Sequence, residues 1–205
     1  MRKSLVAVCA LIAVQMSGVV LADEEQGDLS VFMRMPEDAL SLTHAGAGNA
    51  LAPFPDGIPT LGGTDIARTL ALTARIRDAD GNLIGLTSEL EDFPADFDEK
   101  GEQVWDTYWT VMIVGRGSLL LYEKEALGPD VAKVFAETPG SGLDWSGSIK
   151  QPSTVGPLPD KYGVVVGGTG EFEGATGKFR EIGHLKRFTT DGALEAEIEL
   201  RIWLE

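Results

Sequence analysis

The sequence predicts an all-β fold: an eight-stranded antiparallel β-barrel, with one short helix in an insertion. Three observations carry this expectation. Short segments alternate apolar and polar side chains, the two-residue period of a strand with one face in a core. Tight Gly- and Asp-containing turns join several of them, as antiparallel hairpins require. No run of helices is available to cover an open sheet, and closure into a barrel removes the two edges such a sheet would expose. A β-sandwich is the rival architecture.

Residues 29–35, LSVFMRM, set Leu29, Val31, Met33 and Met35 against Ser30, Phe32 and Arg34, a short first strand. Residues 36–64 contain Pro36, Pro53, Pro55 and Pro59 with several glycines and no sustained period, which reads as surface loop. IARTLALTARIR (66–77) places Ile66, Leu70, Leu72, Ala74 and Ile76 on one face, and Asp80-Gly81 turns the chain into NLIGLTSELE (82–91). An acidic loop (93–103) leads to VWDTYWTVMIVG (104–115), and Gly115-Arg116-Gly117 hands over to SLLLYEKE (118–125).

Residues 126–162 are rich in Gly, Pro and Ser and read as an insertion. Within it, GPDVAKVFAE (128–137) has Pro129 at a first-turn position and Val131, Val134 and Phe135 at helical spacing, so one short helix is expected. Strands near 162–167, 176–188 and 193–204 complete the eight. The last sets Leu194, Ala196, Ile198, Leu200, Ile202 and Leu204 against Glu195, Glu197, Glu199 and Arg201. The expected organisation is a signal peptide at 1–22, an N-terminal strand and Ala/Gly/Pro-rich loop at 23–64, and a barrel domain at 65–205 with the insertion 126–162.

Arg2 and Lys3 precede an apolar run from Leu5 to Leu21 that ends in Val20-Leu21-Ala22, the pattern of a secretory signal peptide cleaved after Ala22. The acidic Asp23-Glu24-Glu25 next to it is a poor stop-transfer flank, so a secreted or periplasmic chain without stable membrane insertion is expected. The only cysteine, Cys9, lies in that leader, which leaves the mature chain without disulfides or thiol chemistry. Losing Arg2 and Lys3 and no acid takes the formal charge from −15 to about −17. Nucleic acid and anionic surfaces are disfavoured partners at that charge. His44 and His184 stand far apart with no second ligand at metal spacing, so neither metal nor organic cofactor is expected.

The stretch VVVGGTGEFEGATGKF (164–179) looks like a phosphate loop and fails as one. A Walker loop needs Gly five residues before Gly-Lys-Ser/Thr; here that position is Phe172, and Phe179 comes after Lys178. The dinucleotide fingerprint fails too, with Glu173 where the third glycine belongs. Residues beyond Gly177 alternate as strand, so the glycines read as structural: Gly167, Gly168 and Gly170 bend a strand out of the barrel wall, and Phe172 plugs inward beside Gly174, Ala175 and Gly177.

The run Gly167-Gly168-x-Gly170-x-Phe172-Glu173-Gly174-Ala175-x-Gly177 resembles the signature of the allene oxide cyclase barrel-like family, to which the dirigent proteins are related. IGLTSEL (84–90) and YWTVMIVGRGSLLLYE (108–123) fall in the order of that family's central strands. The resemblance implies an eight-stranded barrel with an apolar cavity, often assembled as a homotrimer. It also implies either cyclisation of a reactive fatty-acid epoxide by conformational control or stereochemical guidance of radical coupling. The first-strand glutamate of the cyclases has no secure counterpart: Met33 or Arg34 stands in its place, and Glu37 arrives only after Pro36.

Glu89 and Glu91 are the catalytic candidates, because the resembling strand points this parity into the barrel, where a carboxyl gains a raised pKa suited to general acid–base work. The opposed and commoner arrangement puts Ile84, Leu86 and Leu90 in the core and both glutamates in water. Tyr108 and Tyr122 are candidate phenols at the cavity wall, with packing as their alternative role. His184 would shuttle protons if interior, although Arg180, Lys186 and Arg187 suggest a solvated stripe. Arg116 is placed to capture an acidic ligand at the rim or simply to decorate a turn. Three functions are open: a cyclase or isomerase acting on a small apolar or aromatic molecule, a dirigent-like or lipocalin-like binding barrel, and a structural barrel filled by its own side chains.

Overall fold

The computed structural model describes residues 26–44, 47–49, 69–94 and 103–205. The expected leader with its cleavage site, the connection at 50–68 with Ile66, and the middle of the acidic loop lie outside the described residues.

The chain runs β1 (Leu29–Met35), β2 (Ala39–His44), β3 (Ala47–Asn49), β4 (Thr69–Arg77), β5 (Leu83–Asp92), β6 (Trp105–Ile113), β7 (Gly117–Glu125), α1 (Pro129–Ser141), β8 (Trp145–Pro152), β9 (Thr154–Gly156), β10 (Gly163–Gly170), β11 (Gly177–Phe188) and β12 (Leu194–Leu204). Strands β1, β12, β11, β10, β7, β6, β5 and β4 lie side by side, each antiparallel to the next. The pair Phe32 and Arg77 then joins β4 back to β1 and closes an eight-stranded antiparallel barrel. All eight expected strands are ring strands, and the expected helix is α1, with Pro129 in its first turn and left-handed Gly142 (φ 73°) at its end.

Two segments read as loop from the sequence contribute strands. Beyond β1 the chain bends at residues 35–38 and continues as β2 along β4, from Ala39 opposite Ala74 to His44 opposite Leu70. Asp38 fixes that bend: its N–H donates to Arg34 O at 2.7 Å, and its buried carboxylate accepts from the Arg34 N–H at 3.0 Å and from Arg77 Nε and Nη2, both at 2.8 Å. The second segment lies in the insertion. β10 reaches β11 only from Gly163 to Val165, so the rest of the β11 edge is open to another partner. β8 pairs there, from Ile182 to Phe188, and β9 pairs with the end of β7 at Lys124 and Glu125. Residues 145–156 therefore complete the barrel wall between β7 and β11.

The interior of one end is apolar. Val31, Met33, Ile76, Val111, Leu119, Phe179, Leu200 and Ile202 are fully buried there, and Phe172 plugs in beside them. The glycine-rich segment makes the plug possible: a Cβ on Gly168 would lie 2.6 Å from that of Phe172, and Gly170 (φ 66°) passes so near Arg116 O that a Cβ would sit 2.4 Å away. Outside, Leu86, Leu90, Tyr108, Met112, Leu120 and Val166 form an exposed apolar strip across β5, β6, β7 and β10.

Candidate functional site

Parity on β5 is set by its neighbour. Residues paired across an antiparallel ladder share a face, and Glu89 pairs with Trp109, which is almost wholly buried. Glu89 must therefore point inward with the indole, while Leu86 (37% exposed) and Leu90 (55% exposed) face out beside Met112 and Tyr108. The arrangement with Leu86 and Leu90 in the core and the glutamates in water is not the one adopted.

The same inward face turns from apolar to acidic along the barrel. On β7 it reads Leu119, Leu121, Glu123, Glu125; on β11 Phe179 gives way to Glu181; on β6 Trp109, Thr107 and Trp105 lie alongside. Glu89, Glu123, Glu125 and Glu181 are buried, and Glu91 is half-buried nearer the rim. Five carboxyl groups thus share one end of the interior.

Neutral donors hold several of their oxygens. Trp109 Nε1 donates to Glu123 Oε1 at 2.9 Å, and Thr154 Oγ1 donates to Glu123 Oε2 while accepting the Glu181 N–H at 2.7 Å. Trp105 Nε1 donates both to Glu91 Oε1 at 3.1 Å and to Glu125 Oε2 at 3.2 Å, and Thr107 Oγ1 also donates to Glu125 Oε2. Glu181 Oε2 is buried with no hydrogen-bond partner among the described residues. Oxygens of Glu123, Glu125 and Glu181 lie within 4.8 Å of one another, as do oxygens of Glu89, Glu91 and Glu125. Carboxylates only accept, so such groups face one another unfavourably unless protons or a cation intervene.

Burial, and then repulsion by the other carboxylates, pushes Glu89 and Glu181 well above the ordinary range. Burial and repulsion from Glu125 raise Glu123 in the same way, against the pull of its Thr154 and Trp109 bonds. Burial also raises Glu125, opposed by its bond from Thr107, and burial with repulsion from Glu125 lifts Glu91 to about 8.

The other expected site residues lie elsewhere. Tyr108 and Tyr122 stack on the outer surface with ring centroids 5.2 Å apart, and the Tyr122 hydroxyl donates to Asp106, so neither lines the interior. That bond, with burial, raises the Tyr122 phenol to about 12. His184 has the parity opposite to Glu181 and bonds Ser148 Oγ through Nε2 at 2.8 Å on the outside. Arg116 sits in the β6–β7 turn at the apolar end, bonds Glu171 at 2.7 Å and covers the Phe172 ring at 5.2 Å, stapling turn to loop.

Sequence reasoning brings forward Glu89 and Glu91 and misses Glu123, Glu125 and Glu181. The signal is present on β7: a face that begins Leu119, Leu121 and continues Glu123, Glu125 must bury its acids if it buries its leucines. Histidine and cysteine spacing can reveal a metal site in a sequence, but two carboxylates of β7 joined by a third from β11, far along the chain, have no such spacing.

Fold and site together define a closed antiparallel barrel with a packed apolar end and a carboxylate-lined end. The sequence matches no protein-family model, and no curated protein is similar enough to it to stand as a relative.

Proposed function

We propose that the chain is an exported small-molecule barrel of the allene oxide cyclase-like kind, with its ligand bound at the carboxylate-lined end. One observation carries this reading: five glutamates share the barrel interior with two indole donors, an arrangement a purely structural core would avoid because burying unpaired carboxyl groups is costly. Phe93 and Trp105, with rings 5.2 Å apart, stand beside Glu91 and offer an aromatic wall. The ligand class that fits is a small aromatic or apolar molecule bearing a hydrogen-bond donor, its body against the rings and its donor on the acids. The glycine-rich motif around Phe172 supports the family reading. The leader supports export, and the acidity of the chain argues against nucleic acid. No described helix is long and apolar enough to cross a membrane. The apolar strip on β5, β6, β7 and β10 supports a homotrimer through outer strand faces, a state that sedimentation showing a monomer at micromolar concentration would remove.

Native mass spectrometry of the protein purified from its own source tests the reading. A retained small molecule is expected, and Thr107→Leu, which fills the acidic end, should release it while circular dichroism stays unchanged. Absence of any ligand leaves a structural barrel. Conversion of the ligand to a product of equal mass would mark an isomerase, and Glu89→Gln or Glu91→Gln should then abolish conversion and leave retention nearly unchanged, since the amide keeps the shape but cannot carry the proton. Retention without conversion marks a binding protein.

A further inference from the structure

We propose that Glu123, Glu125 and Glu181 bind one divalent cation of the hard, oxygen-seeking class, Ca²⁺ or Mn²⁺, inside the barrel. The inference concerns the same acidic end as the ligand reading and adds an inorganic partner to it.

Geometry comes first. β7 contributes Glu123 and Glu125 from one inward face, and β11 lays Glu181 against them, so oxygens of all three lie within 4.8 Å of one another. Oxygen ligands of Ca²⁺ stand about 2.3–2.6 Å from the ion, so two oxygens on one ion lie no more than about 5 Å apart. The second observation is independent of proximity. Glu181 Oε2 is sealed from solvent, its residue only 6% exposed, and has no hydrogen-bond partner among the described residues. Its carboxyl stands in the close trio with those of Glu123 and Glu125. Three carboxyls so placed repel one another unless protons or a cation lie between them, and a cation relieves them when it displaces the protons.

The surroundings suit a metal. Trp109 and Thr154 hold the two oxygens of Glu123, and Trp105 and Thr107 hold Glu125 Oε2, so neutral donors orient the carboxylates from behind. Thr154 also ties the Glu181 backbone into the same frame. An all-carboxylate set favours Ca²⁺ or Mn²⁺ over zinc or copper, which prefer imidazole and thiolate. Mg²⁺ is the weaker candidate, because it keeps most of its water and demands near-octahedral geometry. Glu89, Glu91 and Glu125 form a second close trio, but none of their oxygens is an orphan of this kind, and Glu91 lies nearer the rim. That side is left to the small molecule.

The test uses the mature full-length chain, stripped with a chelator and titrated calorimetrically with CaCl₂, MnCl₂ and MgCl₂. Saturable binding of one ion per chain is expected for Ca²⁺ or Mn²⁺, with a rise of several degrees in thermal midpoint at saturating ion. Glu181→Gln should weaken binding at least tenfold and abolish the midpoint rise, whereas the exposed control Glu195→Gln should leave both unchanged. If circular dichroism shows Glu181→Gln misfolded, Glu123→Gln takes its place with the same expectation. Absence of saturable heat and of any midpoint shift at millimolar ion overturns the proposal. So does undiminished binding to the glutamine variant, which would place the ion on the acidic exterior. No small molecule enters this titration, so its failure leaves the ligand reading to mass spectrometry.

Discussion

Glu91 shows how a single carboxyl registers its neighbours. Burial and the charge of Glu125 raise it to about 8, and Glu89 on the same strand and Glu123 on β7 are raised as well. A carboxyl whose folded pKa exceeds its unfolded value of 4.5 stabilises the fold fully below that value, and the contribution disappears as pH rises through the folded pKa. Chelator-treated protein should therefore lose thermal stability steadily from about pH 5 to pH 8.5, and Glu91→Gln should flatten the upper part of that decline. A midpoint that climbs over this interval would contradict the assignment. Why the sequence disclosed only part of the site is visible at this same scale. LTSELE offers leucine on one parity and glutamate on the other, and hydrophobicity favours the leucines as core. Trp109, paired with Glu89, decides otherwise, because an indole removes far more apolar area from water than a leucine does.

At the scale of elements, the legible strands are those with a clean alternation, and β12 is the clearest. β2 and β8 escape for physical reasons. β2 is six residues long and comes just after Pro36, so its strand character stems from the ladder with β4 and not from its own pattern. β8, WSGSIKQP, has no sustained apolar–polar alternation, exposes most of its residues and is held by main-chain pairing to β11. The junction of β1 and β2 makes a prediction of its own. Asp38 is inaccessible to solvent and faces the guanidinium groups of Arg77 at 2.8 Å and Arg75 at 3.6 Å. Burial alone would raise its carboxyl, but the Arg77 hydrogen bond and charge, with the Arg34 N–H, bring it below its usual range. Asp38→Asn keeps the shape and loses the charge, and should cost about 2 kcal/mol in urea unfolding, less than a deeply buried pair because Arg75 remains partly in water. An unchanged urea midpoint would show that the bend is held without the ion pair.

For the whole molecule, closure is the defining property, and eight alternating segments made it legible. Its order was legible only in outline, because no local pattern reveals that residues 145–156 patch the wall between β7 and β11, or that β2 rides on β4 beside β1. The pairing of β1 with β12 has a kinetic meaning. Ser30 and Glu199 are bonded although they stand 169 positions apart in the chain, and the ladder from Leu29–Ile202 to Met35–Ala196 joins the first described strand to the last. Hairpins such as β4–β5 and β6–β7 need only a short loop to close and can assemble early, whereas this seam requires nearly the entire chain to be present and ordered. Refolding monitored by the fluorescence of Trp109 and Trp203 should therefore be slow, on the order of milliseconds to seconds. Truncation before β12 should leave an aggregation-prone species with two raw strand edges and not a smaller barrel. A nascent chain cannot seal itself until its last strand emerges, so through most of its synthesis it remains an open polymer with unpaired strand edges.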